Sequence, residues 1–146
     1  MKKKLISMTL IFAAMLIPTS MPAGKFPSYN TRWTVSCTGT VGFSLTLSKK
    51  VKGKLTALAV TPTPCPSSGS TNEVSGVVST VSRPRTWTWE FPGCKSDATG
   101  QADKPSISSS KFGQTTTYNC FAPNGTGGFP LLSSGNVTVD APVGVP

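Results

Sequence analysis

The sequence predicts an all-β protein, an antiparallel sandwich of short strands held by disulfides and preceded by an export signal. Three observations predict it. Short runs of alternating or β-branched residues recur between Gly, Pro, Ser and Thr punctuation. After the first two dozen residues, no window repeats its apolar positions at the helical period of about 3.6 residues. Four cysteines, Cys37, Cys65, Cys94 and Cys120, all fall in this β-rich part, an even number in a small chain.

Residues 1–23 carry the three parts of a secretory signal peptide. Lys2, Lys3 and Lys4 form its positive start, and Leu5 to Ile17 run apolar except for Ser7 and Thr9. Small residues at Ser20, Ala23 and Gly24 offer places for cleavage. As a helix, the apolar run rises about 20 Å, too short for a hydrocarbon core ~30 Å thick. Cleavage is therefore expected over anchoring, and no stable membrane span remains afterwards. No cysteine lies near the cut to take a lipid. The mature part, about 120 residues, suits one domain with one core.

The strands are expected in this order. Arg32 to Ser36 places Trp33 and Val35 on one face. Val41 to Leu47 alternates, with Val41, Phe43, Leu45 and Leu47 to one side. Leu55 to Val60 is an apolar run closed by Pro62, Pro64 and Pro66, and Val74 to Val81 is β-branched through its centre. Thr86 to Phe91 sets Trp87, Trp89 and Phe91 on one face against Thr86, Thr88 and Glu90 on the other. Gly93 to Phe112 has Ile107 as its one large aliphatic residue, which predicts loops and one short edge strand. Thr115 to Phe121 and Asn136 to Val139 complete the set. Pro62 to Thr71 and Pro123 to Gly128 read as exposed loops, and Ala141 to Pro146 as an unstructured tail or linker.

From about Leu55 to Val143, this order of features resembles a bacterial extracellular immunoglobulin-like domain. Thr86-Trp87-Thr88-Trp89-Glu90-Phe91 is similar to its tryptophan-bearing C strand. Thr116-Thr117-Tyr118-Asn119-Cys120 resembles its F strand, with a tyrosine two residues before the cysteine as in a tyrosine corner. Asn136-Val137-Thr138-Val139 resembles the closing G strand. The resemblance implies an immunoglobulin-like antiparallel β-sandwich over residues 55–143, with 144–146 as a tail. Residues 24–54 fall outside it, as an N-terminal β extension that either adds a hairpin to one sheet or belongs to a larger, unorthodox sandwich. Trp87, Trp89 and Tyr118 would then build the core. The usual bridge between strands B and F is missing, because Val74 to Val81 has no cysteine. Among the three connectivities open to four cysteines, the resemblance favours Cys94–Cys120, with C and F as neighbours, and leaves Cys37–Cys65.

Charge and residue inventory narrow the function. The formal charge of +9 falls to +6 without residues 1–23, leaving eleven Lys or Arg against Glu73, Glu90, Asp97, Asp103 and Asp140. Lys49, Lys50, Lys52 and Lys54 crowd into six residues. Such a run suits an acidic surface, but a solvated hairpin turn or an edge guarded against pairing is the favoured reading. With no aromatic residue interleaved, nucleic acid is not expected as a partner. Trp33 is the freer candidate for stacking on a sugar, since Trp87 and Trp89 share a face that belongs to the core.

There is no His in the chain, so neither a Ser-His-Asp triad nor a Cys–His pair can form, and the commonest metal ligand is missing. Glu90 alternates away from the tryptophans, and Asp97 and Asp103 lack the every-second-residue spacing of a calcium loop. No helix follows a glycine-rich loop to hold phosphate. Asn124-Gly125-Thr126 and Asn136-Val137-Thr138 match glycosylation sequons, which in a bacterial chain are coincidental.

These observations predict no catalytic residue, metal or cofactor. The expected function is a secreted, non-catalytic module for binding, adhesion or surface structure, facing an unknown protein or glycan at the cell surface or in the periplasm. Two alternatives stand beside it. One is a self-associating subunit of a surface filament or pilus, and the other an inhibitor or toxin acting through its loops.

Overall fold

A computed structural model describes residues 26–51, 54–65 and 72–146, with the backbone alone at 51 and 54–64. The predicted signal peptide, Lys52, and residues 66–71 of the loop expected at 62–71 lie outside the described residues.

Nine strands and no helix make up the described chain: β1 (Ser28–Cys37), β2 (Val41–Val51), β3 (Lys54–Cys65), β4 (Asn72–Thr80), β5 (Thr86–Glu90), β6 (Ser106–Ser109), β7 (Thr115–Phe121), β8 (Leu131–Val139) and β9 (Val143–Val145). One sheet runs in the order β4-β1-β8-β7, with β9 also on β1, and the other in the order β3-β2-β5-β6. Every pairing is antiparallel. The two sheets share one core, so the architecture is a β-sandwich.

Alternation explains why these runs become strands and which face goes in. Trp87, Trp89 and Phe91 are fully buried, while Thr86, Thr88 and Glu90 between them are half-exposed. On β2, Phe43, Leu45 and Leu47 face them from the neighbouring strand, with Leu45 opposite Trp89 and Leu47 opposite Trp87. Trp33 and Val35 close over this layer from β1 in the other sheet. The rings interlock across the gap: Trp33 meets Phe43 edge-on at 5.7 Å and Trp89 at 5.9 Å, and Phe91 stacks on Tyr118 at 4.2 Å. Such pairs add about 0.5–1.5 kcal/mol each beyond the area they bury.

Several expectations give way to the pairing. Residues 28–51 form no added hairpin: β1 is a central strand of one sheet and β2 a central strand of the other. The β-branched and aromatic content that makes them strands also makes them the core, which no edge addition would require. Two of the three strands that carry the immunoglobulin resemblance, those likened to C and F, do not lie side by side. β5 pairs with β2 and β6, whereas β7 pairs with β8 in the opposite sheet. β3 continues through Pro62 and Pro64, opposite Ser44 and Gly42. It is an edge strand, the place in a sheet where prolines, which lack an N–H to donate, are tolerated. The tail is also structured, because Val143–Val145 pairs with Asn30–Ser28.

Both predicted disulfides form, Cys37–Cys65 and Cys94–Cys120, and no described cysteine is free. Each joins the two sheets. Cys37 on β1 reaches Cys65 on β3, and Cys94, just beyond β5, reaches Cys120 on β7. Beside the second bridge, Lys95 and Phe121 exchange two backbone hydrogen bonds of 2.7 and 2.9 Å.

Close approach and covalent closure each have a measurable consequence. A Cβ at Gly135 would run into the Ser36 carbonyl, backbone that has nowhere to move. Gly135→Ala is expected to lower stability by about 2–3 kcal/mol in urea melts, the range of an overpacked core. Replacing Cys37 and Cys65 together by Ala opens a loop of 28 residues. In the chain-entropy treatment this removes about 3.5 kcal/mol, read as a lower denaturation midpoint, with a comparable loss for Cys94 and Cys120.

Candidate functional site

The described surface is electrically polar from end to end. Glu73 on β4 lies opposite Ser36, close to Cys37, and Glu90 ends β5. Asp97 and Asp103 lie in the loop after Cys94. These four carboxylates therefore sit at the end of the sandwich that carries both disulfides. Lys49 and Lys50 sit at the far end of β2, and Lys54 pairs with Val51 at the start of β3. Arg83 and Arg85 lie in the turn from β4 to β5 at the same far end. Asp140, whose N–H donates to the Arg32 carbonyl, is the one acid nearer the middle.

At the basic end, strand pairing brings two distant pieces of sequence together. Ser48 lies opposite Thr86, and the Arg85 N–H donates to the Ser48 carbonyl at 2.8 Å. Pro84 is fully buried between Arg83 and Arg85, both of which are more open. A proline holds its own φ fixed, so the two guanidinium groups are presented from a stiff turn. Lys49, Arg83 and Arg85 line an open hollow of about 450 Å³ together with Phe26, Tyr29 and Val81. Phe26 and Tyr29 meet edge-to-face at 5.9 Å and form an apolar wall. Ser82 completes the described lining, and no carboxylate is part of it. The arrangement can hold oxyanions, and arginine forks bind these in two-point fashion.

One residue of the lysine run, Lys49, thus joins a cluster with Arg83 and Arg85. Lys49 is half-buried and lines the hollow, and Lys50 is exposed beside it. Lys54 is placed by its backbone alone. Reasoning from sequence missed Arg83, Arg85, Phe26 and Tyr29. Their signal, two arginines flanking a proline, gains meaning only once Ser48 and Thr86 are known to pair.

Trp33 is not a surface platform. It is 5% exposed, and its indole lies over Gly76 on β4, the residue directly opposite. A Cβ at Gly76 would approach that ring to 2.6 Å, so the absent side chain makes the room Trp33 occupies. Trp87 and Trp89 belong to the core, and Trp87 Nε1 donates to the Lys111 carbonyl at 2.8 Å.

At the opposite end, Asp97 accepts from the N–H and hydroxyl of Thr99, which shapes the loop. Glu90 lies 3.9 Å from Lys104, both well exposed, a pair of little energetic weight. Among the described residues, no three His, Cys, Asp or Glu side chains gather as a metal-binding group. A hollow of about 520 Å³ at this end mixes Asp103 with Lys95 and Lys104, without a concentration of one charge.

Tyr118 makes no tyrosine corner, since its partner is remote in sequence. Its hydroxyl donates to the Ser36 carbonyl at 3.1 Å and lies 3.4 Å from Ser133 Oγ, which accepts from the Gly39 N–H. The network ties β7 and β8 to the crossing between β1 and β2. Burial pushes the Tyr118 hydroxyl above its ordinary value near 10, against a smaller lowering from Ser133.

No family model matches the chain, and no curated protein or solved structure does so either.

A raised folded-state value means that Tyr118 favours folding fully below the unfolded value, about pH 10. That contribution is lost as pH climbs through the folded value. Tyr118→Phe is expected to cost about 1 kcal/mol at neutral pH and to flatten the alkaline loss of stability. Urea midpoints of both proteins between about pH 8 and pH 11 check the two effects together.

Proposed function

We propose that this chain is an exported, non-catalytic binding module that works at a cell surface in adhesion or surface structure. The observation that carries the reading is the basic hollow. Cations from two strand ends converge there on an open concavity walled by aromatic rings. The two disulfides support an oxidising compartment outside the cytoplasm. The lysine-led apolar start of the sequence supports export, in the bacterial style. Among the described residues, no helix is long and apolar enough to cross a membrane. The pairing of β9 with β1 of its own chain weighs against a filament subunit that lends this strand to a neighbour.

Fluorescently labelled, oxidised protein should bind intact cells saturably, and reduction followed by unfolding should abolish the binding. Equal binding by the unfolded chain would refute a fold-dependent module. Concentration-dependent polymerisation in size-exclusion chromatography would shift the reading to the filament subunit.

A further inference from the structure

We propose that the basic hollow binds an acidic polysaccharide, a sugar chain bearing sulfate or carboxylate groups, with Arg83 and Arg85 as its specificity-determining residues. The inference rests on the binding-module reading and names the class of ligand.

Four features point to that class. Lys49, Arg83 and Arg85 line one concavity whose described lining holds no carboxylate, so an anion entering it meets one sign of charge. Sulfates and carboxylates offer paired oxygens that accept two parallel hydrogen bonds from a guanidinium, a geometry that lysine cannot copy. The turn that presents the arginines is stiff, with Pro84 buried and Arg85 N–H anchored on Ser48. The backbone of the turn therefore needs no reordering when the ligand arrives, and the ordering left is that of the arginine side chains. At the opposite end the four acids are interspersed with Lys95 and Lys104, so a polyanion meets mixed charge there and one sign of charge only at the hollow.

Other polyanions fit less well. A lipid surface favours a convex tip with several apolar side chains to bury, whereas this site is concave. Val81, 82% exposed, is the aliphatic side chain in its described lining. Single-stranded nucleic acid calls for aromatic faces open to stacking, but Tyr29 is 5% exposed and has its ring against Phe26. A sugar acid needs no stacking face. It needs cations at a rim and an apolar wall for the ring's edge, which Phe26 supplies.

The test measures binding of the oxidised protein to dextran sulfate, polygalacturonate and neutral dextran at about 0.15 M salt, where exposed long-range charge is largely screened. Anionic phospholipid vesicles and single-stranded DNA run alongside. Dextran sulfate or polygalacturonate should bind, and whichever is tighter identifies sulfate or carboxylate as the preferred group. Neutral dextran should not bind. Arg83→Gln/Arg85→Gln should weaken the tighter polysaccharide about tenfold. Lys95→Gln/Lys104→Gln, which removes the same charge from the opposite end, should change it less than twofold. Arg83→Lys/Arg85→Lys keeps the charge and should still weaken binding several-fold, with an unchanged thermal midpoint showing that the fold is intact. Equal weakening by the two Gln pairs would overturn the site in favour of net charge. Tighter binding to vesicles or DNA than to either acidic polysaccharide would overturn the ligand class. Saturable cell binding with no affinity for acidic polysaccharide would overturn this inference and leave the module standing. Failure to bind cells as well would remove both.

Discussion

β1 has a hydrogen-bonded neighbour along both edges for nearly its whole length, and the placement of the other strands follows from filling those edges. β4 covers one edge from Tyr29 to Cys37. β8 and β9 cover the other in two pieces, Val137–Val139 against Val35–Trp33 and Val143–Val145 against Asn30–Ser28. The interruption at Asp140–Pro142 is bridged by the Asp140 N–H on the Arg32 carbonyl. One strand near the start of the described chain thus recruits segments from its middle and its end, and the sheet cannot form before all three have come together. Non-local pairing of this kind raises the entropy of assembly and slows folding relative to hairpin-by-hairpin growth.

Covalent and non-covalent fastening are divided between the two ends. Both disulfides, the Lys95–Phe121 bridge and the Tyr118–Ser36 hydrogen bond gather where the chain crosses from β1 to β2. The basic end has hydrogen bonds and aromatic contacts in their place. Staples far from the hollow leave its stiffness to local devices, chiefly Pro84 and the Arg85–Ser48 bond. The core between the ends is built almost entirely from rings and branched aliphatics. Two buried polar atoms in it, Thr31 Oγ1 and Trp89 Nε1, have no partner among the described residues. Trp89 sits within contact of the Trp33 and Phe43 rings, so packing there takes precedence over satisfying its N–H.

Much of the strand content was legible because alternation is a local signal. Thr115–Phe121 is β7 residue for residue, Thr86–Phe91 ends one residue beyond β5, and the lone Ile107 marks β6. Inward tryptophans on β5 follow from the same period. The disulfide pairing was also reached, although by way of neighbouring strands in one sheet, whereas the bridges run between sheets. What local pattern cannot supply is strand order. That is why residues 28–51 fit an added hairpin as readily as a part of a larger sandwich, and why Trp33 read as free: nothing in the sequence near it announces Gly76 across the ladder. The hollow was illegible for the same reason, since Lys49 and Arg83 are 34 positions apart and meet through a pairing that no periodicity encodes. β9 was missed because Pro142, Gly144 and Pro146 suppress every propensity for a strand, and only the vacant edge of β1 makes one there.

The docking of β9 beside Ser28 has a practical side. Val145 lies opposite Ser28, and the Phe26 ring rests against Gly144, so the first and last described residues leave the molecule together at the rim of the hollow. A purification tag, a tether to a support or a fused reporter joined after Pro146 is delivered to that rim. Capture through such a tag would turn the hollow toward the chip and understate affinity. A probe attached through the exposed loop at Pro123–Gly128, on the disulfide end, would leave it facing solution.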